Sequence, residues 1–255
     1  MKIQPILFAF LFLFSLALTA QAEYKVAASG KTIEFSEIDD LTIVGVTGSD
    51  MIVSRDPDED GESKEDPRAK GLKKISASGR QDNTGLGVAV STEGNTIVVE
   101  QVGKNNGPIV VQIPNSAVVK VKQSTYRGTD LKASDFGGDL DVSMHYHQAI
   151  LKDCTGPLAI NTIYGSIDAS FSQAPTEEIR LHSTYSNVEL AMPGSTKANL
   201  RLSTSYGEMY TDFDVQVKSG SELGGEDGKL TGIINGGGEL ISLRATYNNI
   251  YLRKQ

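Results

Sequence analysis

Residues 158–171 read LAINTIYGSIDASF, residues 179–192 read IRLHSTYSNVELAM, and residues 200–213 read LRLSTSYGEMYTDF. The three segments superpose without a gap. Each opens on apolar residues two apart, passes a small hydroxyl residue, reaches a tyrosine, turns, and resumes apolar alternation three residues later. Alternation with period two is the mark of a strand with one buried face. The turn-prone residues after each tyrosine, such as Gly165-Ser166 and Ser186-Asn187, mark a corner between two such strands.

Working outward, the tyrosines of this pattern are Tyr126, Tyr146, Tyr164, Tyr185, Tyr206 and Tyr247, at steps of 20, 18, 21, 21 and 41 residues. A period near twenty is the signature of stacked coils, each burying its apolar face against its neighbours. Six residues before each tyrosine stand Lys120, Leu140, Leu158, Ile179, Leu200 and Ile241, and four before stand Lys122, Val142, Ile160, Leu181, Leu202 and Leu243. Both rows are apolar except in the first coil. The parity places the tyrosines on the same inside face, where an inward aromatic ladder at the inter-strand spacing is expected, with small residues such as Thr162 and Ser183 making room and offering hydroxyls to the phenols. The long last step fits an additional irregular coil carrying Leu223, Asp227-Gly228 and Leu230.

Before the repeat, strands are expected at Thr32–Phe35, Leu41–Val46, Met51–Ser54, Leu72–Ser78, Leu86–Ser91, Thr96–Gln101, Ile109–Ile113 and Ala117–Gln123, with Glu93-Gly94-Asn95 as a hairpin turn. The fold class is therefore all-β: a parallel β-solenoid (β-helix) with an N-terminal strand and hairpin region. Residues 1–22 read as a secretory signal peptide, with Lys2, an apolar run from Ile6 to Leu18 and Ala20-Gln21-Ala22 at the cleavage site. Residues 23–118 form the N-terminal β region continuous with the solenoid, and 119–255 the repeat. The expected location is the periplasm, cell surface or medium, with no integral span in the mature form. A formal net charge of −8 argues against nucleic acid as a partner. Cys154 is the single cysteine and reads as a small buried hydrophobe.

Gly71-Leu72-Lys73-Lys74-Ile75, the Ile109–Pro114 run, the Thr204-Ser205-Tyr206-Gly207 corner and the closing Tyr247–Arg253 strand resemble the bacterial putative-adhesin family of exported β-solenoid domains, related to the head domain of auto-transporter adhesins. The resemblance covers the mature chain. It implies a bacterial envelope or surface protein and supplies no catalytic residues.

Four residues after successive tyrosines stand Asp168, Glu189, Tyr210 and Tyr251, preceded by Asp130 and Ile150. They point outward and make the candidate ligand row, aromatic and carboxylate together suiting an extracellular glycan or a surface protein. The stacked carboxylates Asp168 and Glu189 alternatively suit a β-helix polysaccharide lyase or glycoside hydrolase. No nucleophile elbow, phosphate loop or paired cysteine spacing is present, so no catalysis and no cofactor are expected. His145, His147 and His182 are too spread along the stack for one zinc ion. Asp56, Asp58 and Asp60 mimic the opening of a calcium loop, but Pro67 stands where its bidentate Glu belongs.

Overall fold

The computed structural model describes residues 23–56, 67–104, 107–218 and 228–255. The signal-peptide segment, Asp58, Asp60 and Leu223 lie outside them. One 3-10 turn, Pro67–Ala69, is the only helical element among the described residues, and the rest of the regular structure is strand. No helix there is long and apolar enough to cross a membrane.

The strands form two large mixed sheets of ten and eleven strands, and the chain passes from one to the other strand by strand. After β1 (Tyr24–Ala27), β2 (Thr32–Ser36) lies in the larger sheet and β3 (Leu41–Val46) in the smaller, where β4 (Asp50–Arg55) turns back beside β1. β5 (Val88–Glu93) and β6 (Thr96–Gln101) make the expected hairpin about Gly94 and Asn95. From β6 to β17 the chain gives one strand to each sheet in turn. The pairs are β6 with β7 (Ile109–Pro114), β8 (Val118–Gln123) with β9 (Leu131–Ser134), and β10 (Asp139–Met144) with β11 (Ala149–Lys152). Next come β12 (Leu158–Thr162) with β13 (Ile167–Ser170), β14 (Ile179–Ser183) with β15 (Val188–Met192), and β16 (Ala198–Thr204) with β17 (Met209–Thr211). β18 (Gln216–Val217) and β19 (Gly228–Ile234) run antiparallel, β19 along β16, before the last pair, β20 (Glu239–Ala245) with β21 (Ile250–Lys254).

Equivalent strands of neighbouring pairs run parallel and in register, Leu158 opposite Ile179 and Ile167 opposite Val188. Parallel strands need a long return connection. Here the strand in the opposite sheet is that return, so both sheets turn their apolar faces to one another. Leu140, Ile160, Leu181, Leu202 and Leu243 from one sheet meet Leu151, Ala169, Leu190 and Leu252 from the other, all buried. One continuous apolar cluster runs from Ala28 to Leu252 and includes the fully buried rings of Phe35, Phe136 and Phe171.

Spatial order departs from chain order at both ends. The pair β20–β21 lies between β14–β15 and β16–β17, and β2–β3 lies between β6–β7 and β8–β9. Among the described residues of the 41-residue tyrosine step, Leu230 does not sit in a parallel coil as expected but in antiparallel β19, opposite Leu202. The first repeat is shifted by one residue. Val119, Val121 and Gln123 are its inward residues, with Lys120 and Lys122 pointing out, because Val119 pairs with Leu140. Leu72–Ser78 is not a strand; it holds a single bridge, Ile75 to Gln81, and both Leu72 and Ile75 are exposed.

Candidate functional site

The corner after each large-sheet strand decides where the tyrosines go. Alternation holds as far as the small residue two before the tyrosine, which is buried: Thr162, Ser183 and Thr204. Its hydroxyl then serves the turn. Thr162 Oγ1 donates to Gly165 O at 2.6 Å, Ser183 Oγ donates to the same carbonyl at 2.9 Å, and the Gly207 N–H donates to Thr204 Oγ1 at 2.9 Å. The turn resets the parity, so the tyrosine faces out and the apolar alternation resumes inward three residues after it, at Ile167, Val188 and Ile250. A Cβ on Gly165 would sit 1.8 Å from His147 O, and one on Gly207 would sit 1.9 Å from Asn248 O, which is why glycine stands at these corners.

The inward ladder is thus corrected to an outward one. Tyr146, Tyr164, Tyr185, Tyr247 and Tyr206 are 46%, 53%, 47%, 48% and 65% exposed. Their rings stack in that order, at centroid separations of 5.4, 5.1, 4.9 and 4.8 Å and interplanar angles of 21°, 10°, 8° and 2°. Tyr185 is therefore flanked by Tyr164 and Tyr247, not Tyr206. These separations are those of offset stacking. The backbone imposes the spacing: each tyrosine N–H continues the ladder, Tyr164 to His145 O, Tyr185 to Ile163 O and Tyr247 to Thr184 O, at 2.8–2.9 Å. Among the described residues none of the five phenol hydroxyls has a protein hydrogen-bond partner. Tyr126, displaced by the register shift, is 76% exposed and stands apart from the stack.

The outward row expected from the sequence exists, in a different order. Across the smaller sheet it runs Lys132, Ile150, Asp168, Glu189, Tyr251, Tyr210, with Lys132 in the place given to Asp130. The four polar members expected from the sequence are already engaged. Asp168 accepts from Gln148 Nε2 at 2.5 Å, Glu189 pairs with Arg253 Nε at 2.6 Å, Tyr251 accepts from Asn249 Nδ2 at 3.1 Å, and Tyr210 donates to Glu208. Partial burial, and then the neighbouring Glu189, push the Asp168 carboxyl above the ordinary carboxylate range. Tyr210 and Tyr251 stack on one another at 5.3 Å, Arg253 lies over the Tyr251 ring, and Tyr210, on the edge strand, is 46% exposed.

The histidines stay apart as metal ligands. His147 Nε2 lies 2.8 Å from Arg127 O, and His182 Nε2 lies 3.4 Å from Thr246 Oγ1, with burial and then Arg244 lowering its pKa. Among the described residues no group of three or more His, Cys, Asp or Glu is placed to hold a metal ion. Cys154 is buried, its thiol donating toward Ala133 O and Lys152 O, and burial pushes its pKa up to about 11.

No protein-family model matches the chain, and no curated protein matches its sequence. Among solved structures the chain is similar to a putative cell adhesion protein from Clostridium sporogenes ATCC 15579, at 10% identity over 92% of this chain and 100% of that one, with a TM-score of 0.47. It is also similar to a putative adhesin from Bacteroides fragilis NCTC 9343, at 10% identity over 93% and 98% of the two chains, with a TM-score of 0.27.

Proposed function

We propose that this chain is an exported, two-sheet parallel β-solenoid that serves as an adhesin-like binding module and carries out no catalysis. The observation that carries the reading is the run of five stacked tyrosine rings, each about half exposed, held in line along one corner. Contiguous aromatic surface left open to water is uncommon on monomeric soluble proteins and marks interaction sites. The alternation of strands between two sheets and the parallel register from β6–β7 to β16–β17 support the solenoid. Against a hydrolase stands the engagement of both candidate carboxylates, Glu189 by Arg253 and Asp168 by Gln148.

The test is sedimentation of the purified protein with bacterial cells and with isolated envelope polymer. The triple variant Tyr164→Ser, Tyr185→Ser, Tyr247→Ser should lose most of the bound fraction, while Tyr210→Ala with Tyr251→Ala should retain it. Equal binding by all three proteins removes the ladder as the contact surface. Release of reducing sugar that disappears with Glu189→Gln would replace the binding module with an enzyme.

A further inference from the structure

The chemistry of the strip on either side of the tyrosines narrows the ligand. The residues immediately before the five stacked rings are His145, Ile163, Thr184, Thr246 and Ser205, and those immediately after are His147, Gly165, Ser186, Asn248 and Gly207. No Asp, Glu, Lys or Arg stands in this strip, although those residues make up 22% of the chain. Ser186, Thr246 and His147 in this strip are turned to the protein, on Tyr164 O, His182 and Arg127 O, so the strip's open groups are chiefly the phenol hydroxyls and the ring edges. The next row on the smaller sheet holds Gln148, Ser166, Asn187 and Asn249, of which Gln148 and Asn249 already donate to Asp168 and Tyr251, and closes with Glu208, which Tyr210 engages. Such a surface offers phenol hydrogen bonds and apolar ring edges to a partner without charge of its own.

The spacing restricts the partner further. Neighbouring tyrosine rings recur at centroid separations of 4.8–5.4 Å along the stack. An extended polypeptide repeats at about 3.3 Å per residue, with like-facing side chains at roughly twice that, and falls out of step within two rings. A polyanion such as nucleic acid gains nothing from an uncharged strip on an acidic protein. A flat ribbon of β-1,4-linked pyranose rings advances by nearly the same distance per sugar as this ladder does per tyrosine. Its equatorial hydroxyls lie along both edges and its apolar ring faces lie between them.

Resting on the binding-module reading above, we infer that the tyrosine ladder is a subsite array for an extended, neutral β-1,4-linked glycan lying along the stack, one sugar ring to each tyrosine. The offset stack leaves the hydroxyl edge of every ring uncovered, so each phenol exchanges a hydrogen bond with one sugar while the ring edges pack on its apolar face. Commensurate repeats let all five subsites be filled at once, and binding strengthens with ligand length in the way of linked sites.

The experiment is calorimetric titration of the purified protein with cello- and chito-oligosaccharides of two to seven sugars, with malto-oligosaccharides, whose α-linkage coils the chain, as the mismatched series. Binding should tighten by roughly threefold per sugar, the size expected of one net hydrogen bond, and level off beyond five. The malto series should show no such rise. The variant Tyr164→Phe, Tyr185→Phe, Tyr247→Phe keeps the ring stack and removes only the hydroxyls; with an unchanged thermal midpoint it should flatten the length dependence. Equal affinity for both linkages, or no dependence on length, overturns the glycan assignment. If ladder-dependent sedimentation with envelope polymer persists in that case, the binding-module reading survives without it. If sedimentation also fails, both fall.

Discussion

Leu181 and Tyr185 sit four residues apart in one strand pair, and each belongs to a row repeated along the stack, yet the two rows do different work. Leu181 is 1% exposed, with Ile160 and Leu243 beside it in its own sheet and the apolar face of the other sheet opposite. Tyr185 is 47% exposed and touches rings only along the stack, Tyr164 on one side and Tyr247 on the other. The inner row joins the two sheets, while the corner row only copies a spacing that the backbone has already set. Regular repetition in a strand protein thus serves two ends: closing a core and ruling a surface.

Four measurements bear on this contrast. Leu181→Ala should destabilise the protein by about 2–5 kcal/mol in a denaturant titration, as transfer and cavity terms add at a fully packed site. Tyr185→Ala in the same strand pair should cost only about 1 kcal/mol, the stacking contribution at a half-exposed ring. Comparable losses at both positions would make the corner row part of the core. Cys154, buried with its thiol pKa raised to about 11, should resist alkylation at pH 8 in the native state and react fully in denaturant; rapid native labelling would show that the seam between the sheets opens. The smallest effect concerns Asp168. Its folded-state pKa lies above the ordinary 3.8, so the stability it contributes is full below that value and is lost as pH rises through the higher folded one. Asp168→Asn should therefore raise the thermal midpoint by at most about 1–2 °C at pH 7 and leave it unchanged at pH 3. A drop at pH 7 would mean that the carboxylate holds the row together through Gln148.

Most strands were legible because alternation survives wherever a strand has one wet face: Leu41–Val46 and Thr96–Gln101 have the bounds their pattern suggests. The tyrosines were misassigned because parity is a property of extended backbone, and the hydroxyl-braced corner breaks it one residue after Thr162 or Ser183. The signal for exposure was present in the uncharged, turn-prone neighbours of each ring. Stacking order was not legible at all. Every inner face offers the same Leu and Ile rows, so any pair fits beside any other, and nothing local to Leu243 says that it belongs between Leu181 and Leu202. The outward row was found in its membership, Asp168, Glu189, Tyr251 and Tyr210, but its order and its internal pairing with Gln148, Arg253, Asn249 and Glu208 depend on that same unseen placement.

The position of β20–β21 has a consequence for how the molecule is made. Synthesis proceeds from the first residue to the last, but the stack is not completed in that order. β16–β17 leaves the ribosome before the pair that separates it from β14–β15, and must wait for Glu239–Lys254 to slot in beside it. A chain without β20–β21 is therefore not a shorter copy of the finished fold; β14 and β16 in one sheet and β15 and β17 in the other are left with unfilled edges, the kind of surface that pairs with other chains. Closure from contacts so far apart in sequence is slow. Loss of β20–β21 should consequently be felt well beyond those two strands, because β16–β17 reaches the rest of the stack only through them.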